Sequence, residues 1–94
     1  MRFSVRLTRA AGYDLIRLAA FLEQHSSEAA DRGRHILRAA IDSLAEMPER
    51  ATLVAETDYR DLIVPFGAAG YAVRYRIEGR AVIIVPIFHT REDR

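Results

Sequence analysis

Ninety-four residues suit one small domain, and a hydrophobic fraction of 50% suits one modest core. Cysteine is absent, which excludes a disulfide framework and thiolate chemistry, and all 14 basic residues are arginine, which excludes a lysine base or Schiff base. A net charge of +1 is low for a dedicated nucleic-acid binder.

The charge is uneven along the chain. Residues 42–61 carry Asp42, Glu46, Glu49, Glu56, Asp58 and Asp61 against Arg50 and Arg60. Residues 62–91 carry Arg74, Arg76, Arg80 and Arg91 against Glu78 alone, so the C-terminal half is locally basic. The start, "MRFSVRL", has no hydrophobic core of a signal peptide. The longest apolar run, Ala81 to Phe88, is far short of the ~20 residues that span a bilayer. These features predict a soluble, cytoplasmic protein.

Residues 2–7 alternate, with Phe3, Val5 and Leu7 on one side, and predict a half-buried strand. Thr8 offers an N-cap. From Arg9 to His25 the period becomes helical, with Ala11, Leu15, Leu18 and Leu22 on one face. "HSSEAAD" breaks this helix and starts another, capped by Ser26 or Ser27, with Glu28 and Asp31 at its positive end. Gly33, Leu37, Ala40, Leu44 and Met47 then recur at helical spacing until Pro48. The two helices predict an antiparallel hairpin, with Gly33 and Ala40 allowing close approach.

Residues 49–58 are polar and read as irregular. Leu62, Val64 and Phe66 alternate in a strand, "GAAG" turns the chain, and Tyr71, Val73, Tyr75 and Ile77 alternate in the next. Glu78-Gly79 predicts a tight hairpin turn, and Val82 to Phe88 a buried strand. Pro86 inside that strand implies a bulge or a locally unpaired neighbour. The expectation is one α+β domain over residues 1–94, strand–helix–helix–strand–strand–strand, with the helical hairpin on one face of an antiparallel meander.

Ala72, Arg74 and Arg76 oppose the apolar set of their strand, so they belong to the face away from the helices. With Arg60 and Arg91 they predict either an arginine-lined face for an acidic peptide or phosphate backbone, or a solvated outer face. His89 reads as a general acid or base, or as a hydrogen-bonded structural residue. His25 and His35 lack metal-ligand spacing, and no metal or cofactor is expected. Tyr71 and Tyr75 face the core side.

The strand "FSVRLT", the hairpin ending "IDSLAEMPE", then "YRDLIV", "GYAVRYRIEG" and the closing "VIIVPIFHTRED" together resemble the ParE/RelE superfamily of bacterial type II toxins over nearly the whole chain. The resemblance implies a fold with the first strand beside the last. It also implies growth arrest, a role in plasmid stabilisation, a cognate antitoxin in a hetero-oligomer, and either DNA gyrase or ribosome-bound mRNA as target. The ribonuclease branch usually has an arginine after the tyrosine of "GY"; here Ala72 stands there. That branch also commonly ends in a tyrosine beyond the last strand, and none follows Tyr75. His89, Thr90, Arg91, Glu92 and Asp93 look like the ending of many ParE-like chains. The expected reading is a ParE-like gyrase poison rather than an enzyme, with Arg60, Arg74, Arg76, His89 and Arg91 contacting antitoxin or target. The alternatives are a ribosome-dependent ribonuclease using His89, Arg91 and Arg74, or a non-toxic binding member.

Overall fold

A computed structural model describes residues 2–67 and 69–90, Ala69 by its backbone only. Its elements are β1 (Ser4–Leu7), α1 (Arg9–Glu23), α2 (Ser27–Ser43), β2 (Thr52–Leu53), β3 (Arg60–Phe66), β4 (Ala69–Glu78) and β5 (Ala81–His89). The strands form one sheet in the order β1-β5-β4-β3-β2. The α+β layout is as expected, and β1 lies beside β5, parallel to it, with Val5 level with Val82. Parallel strands cannot be joined by a tight turn, and here α1, α2, β2, β3 and β4 all lie between β1 and β5 in the chain.

Both helices begin where a side chain satisfies the first open amides. Thr8 Oγ1 accepts from Ala11 N at 3.2 Å, and Ser26 Oγ from Ala29 N at 2.9 Å. Glu28 adds negative charge to the first turn of α2. Ala11 and Leu18 from α1 meet Leu37, Ile41 and Leu44 from the α2 side, and all pack on Val64, Tyr71, Val73, Tyr75, Val82, Ile84 and Ile87 of the sheet. Gly33 does mark a close approach: a Cβ there would lie 2.6 Å from Leu22 Cδ1 on α1.

Several boundaries differ from the sequence expectation. Helix α2 stops at Ser43, because Leu44, Ala45 and Glu46 donate to carbonyls three residues back, a tightening that ends the α-helical ladder. Met47 therefore leaves the helical face and is 64% exposed. Leu7, at the end of an edge strand, is also largely exposed. The stretch 49–58 is not wholly irregular, since Thr52 and Leu53 pair with Asp61 and Arg60. Ala69 and Gly70 belong to β4 rather than to the turn. The last hairpin turns on Gly79-Arg80, with Glu78 paired to Ala81 and Gly79 at φ +57°.

Pro86 behaves as its chemistry requires. Val73 pairs with Ile87 but Tyr75 with Ile84, so Val85 and Pro86 both stand opposite Arg74 in a bulge. The bulge is held from α1. The Thr8 hydroxyl lies 2.9 Å from Ile84 O and 3.0 Å from Val85 O, and Asp14 Oδ2 accepts the Ile87 N–H at 2.9 Å.

Candidate functional site

Among the described residues the five-stranded sheet has one face covered by the helices and one left open, and alternation distributes the candidate residues between them. Arg74 and Arg76 lie on the open face, as expected. Asp61 stands directly opposite Arg74 in register, and the guanidinium grips its carboxylate through Nε at 2.8 Å and Nη2 at 2.9 Å. This two-point contact holds the Arg74 proton more firmly, raising its pKa, while partial burial opposes the rise. The guanidinium carbon also sits 5.5 Å from the centre of the Phe88 ring. Arg76 pairs with Glu78 on the same strand.

The open face is less solvated than its arginines suggest. Ala72 is level with Ile63 on one side and Phe88 on the other, and these neighbours leave it 2% exposed. Ile63 itself is 57% exposed. The face is thus a shallow apolar strip, Ile63–Ala72–Phe88, bordered by the Asp61–Arg74 pair. Such a strip suits an extended or helical segment with apolar side chains and a carboxylate.

Arg60 is not part of it. It is level with Tyr75 and shares the side of Leu62 and Val64, and its Nη1 donates to Glu49 O at 3.1 Å and Ala51 O at 2.8 Å. It ties the connection after α2 to the sheet. Beside it the Tyr75 hydroxyl donates to Pro48 O at 2.6 Å. Burial, the largest influence, raises the Tyr75 pKa against the opposing pull of Arg60 and Arg50.

His89 also lies on the covered side. It is paired with Tyr71, and their rings meet edge to face at 5.7 Å, with Phe66 next in the stack at 5.6 Å from Tyr71. His89 and Arg74 therefore face opposite sides of the sheet, so the two are not brought together as the ribonuclease alternative would use them. Arg91, with Glu92 and Asp93, lies outside the described residues. Among the described residues, no three of His, Asp or Glu gather as a metal site requires, and no helix is long and apolar enough to cross a membrane.

One surface was not singled out from the sequence. A groove of about 710 Å³ runs along the hairpin, floored by Gly12, Leu15, Ile16 and Ala19 of α1, with Arg34, His35 and Arg38 along its α2 wall. The signal was available: Gly12, Ile16, Ala19 and Ala20 lie at helical spacing on α1, away from its buried Ala11 and Leu18.

A family model described as the ParE toxin of the type II toxin-antitoxin system, parDE, matches residues 5–94. Among curated proteins, Toxin RelE1 of Caulobacter vibrioides is 38% identical over 94 residues, the full length of both chains. Toxin RelE3 of the same organism is 34% identical over 91 residues, 97% of this chain and 98% of its own. Among solved structures, one from the chromosomal ParDE system of P. aeruginosa superposes with a TM-score of 0.77 at 19% identity, covering 94% of this chain and 96% of that one. One from the E. coli RelBE toxin-antitoxin complex gives 0.64 at 14% identity, covering 96% and 99%. At these identities the structural likenesses speak for the fold alone.

Proposed function

The chain belongs to the ParE/RelE superfamily of type II toxins, and we propose that it acts as a ParE-like toxin, inhibiting DNA gyrase and neutralised by a cognate antitoxin. The observation that carries the gyrase reading is the placement of His89 and Arg74 on opposite faces of the sheet. Cleaving a phosphodiester needs a proton-transfer group and a charge-stabilising group around one phosphate. Here the histidine packs on Tyr71, and Arg74 is held by Asp61. Ala72 occupies the position where the ribonuclease branch carries an arginine.

The antitoxin would cover the open strip and the helical hairpin with a segment rich in apolar and acidic residues. The solved relatives include toxin–antitoxin complexes, which supports such a partner. A carboxylate from it would compete with Asp61 for Arg74 and meet a guanidinium already oriented over Phe88. The target is expected in the cytoplasm.

The deciding experiment induces this chain alone in a bacterial host carrying an SOS reporter. A strong signal with filamentous, arrested cells supports gyrase poisoning. A second reading is favoured by the full-length likeness to proteins named RelE: ribosome-dependent mRNA cleavage. Growth arrest with a silent reporter and cut transcripts would establish that reading instead. Robust growth would leave a binding module.

A further inference from the structure

Helix α1 carries an outward face that is exposed among the described residues. At 100° per residue, Arg9, Gly12, Tyr13, Ile16, Ala19, Ala20 and Glu23 fall within about 120° of arc. The buried Ala11 and Leu18 point the other way. Tyr13 is 65% exposed and Ile16 67%, a large apolar content for a solvent-facing stripe. Gly12 lies within the helix, where glycine is destabilising relative to alanine. A Cβ at Gly12 would meet no atom within 4 Å, so no packing among the described residues calls for the glycine.

The order of residues on this face is complementary to its own reversal. Ile16 is the midpoint of α1. A two-fold axis through Ile16, perpendicular to the helix, sets a second α1 antiparallel on the first. Ile16 then meets Ile16 of the second copy. Gly12 of each helix comes level with Ala20 of the other and Tyr13 with Ala19, where small side chains permit close approach. Arg9 comes level with the second copy's Glu23, twice by symmetry. Both Arg9 and Glu23 are exposed and make no ion pair among the described residues. A parallel arrangement would instead set Arg9 on Arg9 and Glu23 on Glu23.

We propose that two copies of this chain pair through the outward face of α1, the helices antiparallel about Ile16, with Arg9 of each against Glu23 of the other. A single helix face is small beside the roughly 800 Å² per partner of a standard stable interface, so the dimer is weak and concentration-dependent. It goes beyond the toxin reading and does not depend on the target. An antitoxin covering the hairpin would displace it.

The test is sedimentation velocity on the full chain, free of partner, from low to high micromolar concentration. A monomer–dimer equilibrium is expected. Ile16→Arg places two like charges at the axis and leaves only monomer, with unchanged helical circular dichroism because Ile16 is exposed. Arg9→Glu and Glu23→Arg each set like charges together at both ends and weaken the dimer roughly tenfold. The double variant Arg9→Glu/Glu23→Arg recovers wild-type association. A wild type that stays monomeric throughout, a dimer indifferent to Ile16→Arg, or a double variant no better than the singles would each overturn the proposal.

Discussion

The Asp14 carboxylate on α1 accepts the main-chain N–H of Ile87 on β5 at 2.9 Å, one residue beyond Pro86. Ile87 lies past the last β1–β5 pair, Leu7 with Ile84, and a helix side chain supplies the acceptor for its amide. Asp14→Ala leaves this amide partnerless at a half-buried site, with an expected loss of about 1–3 kcal/mol. Asp14→Asn keeps an acceptor oxygen and should lose about half as much. Urea unfolding gives the two values, and hydrogen exchange at the Ile87 amide locates them. Exchange at Ile87 as slow in Asp14→Ala as in wild type would reject the assignment.

Arg74 and Asp61 form a two-point pair with side chains 32% and 24% exposed. Solvent reaches both ends, so the pair adds only about 1 kcal/mol to stability. Its larger role is to fix the guanidinium over Phe88. Arg74→Glu sets two carboxylates opposite each other and reverses the charge offered to an acidic partner. Antitoxin binding, measured by titration calorimetry, is expected to weaken by more than tenfold, with a smaller loss for Arg74→Gln. A change of less than tenfold for Arg74→Glu would remove Arg74 from the partner interface.

The alkaline limb of stability rests on two buried phenols. Burial raises the pKa of Tyr71 and of Tyr75, and the Tyr75 hydroxyl is a donor to Pro48 O. A group whose folded pKa is raised contributes its full stability below the unfolded value, about 10 for tyrosine. That contribution is lost as pH climbs toward the folded pKa. Together the two phenols give a slope of up to about 2.7 kcal/mol per pH unit in that window. Tyr75→Phe should halve the slope while costing about 1 kcal/mol at neutral pH through the lost hydrogen bond. Denaturant midpoints from pH 8 to 11 test both parts, and an unchanged slope in the variant would contradict this account.

Local rules made much of this fold readable in advance. Thr8 and Ser26 cap helices because a hydroxyl is the simplest partner for a first-turn amide, and both are visible as residue types before helical periods. Pro86 announced its bulge because it has no N–H to give. What stayed hidden depends on distant partners. The helical period through Met47 continues in sequence, yet the backbone tightens after Ser43 and the side chain turns outward. Thr52 and Leu53 form a strand only because Arg60 and Asp61 offer an edge. Arginines share no face by composition: Arg60 is drawn to the carbonyls of Glu49 and Ala51 on the covered side, while Arg74 faces out. Alternation carried past the bulge places His89 on the covered side with Tyr71, a relation that needs the β4–β5 register.

That register gives a prediction separating the two toxic readings. If one phosphate were held between His89 and Arg74, removing either residue would lower the worth of the other, and a double-mutant cycle would return a coupling of about 0.5–3 kcal/mol. Side chains on opposite faces of a sheet share no such ligand. The effects of His89→Ala and Arg74→Ala on affinity for gyrase and for the antitoxin are therefore expected to add within about 0.5 kcal/mol. His89→Ala should also loosen the edge-to-face contact with Tyr71, costing about 0.5–1.5 kcal/mol of stability, while Arg74→Ala leaves that ring stack intact. The cycle is best run on binding constants, since growth arrest saturates. Coupling well above 0.5 kcal/mol would mean that the two residues act on one ligand after all, and would withdraw the opposite-face argument that favours gyrase poisoning over a ribonuclease.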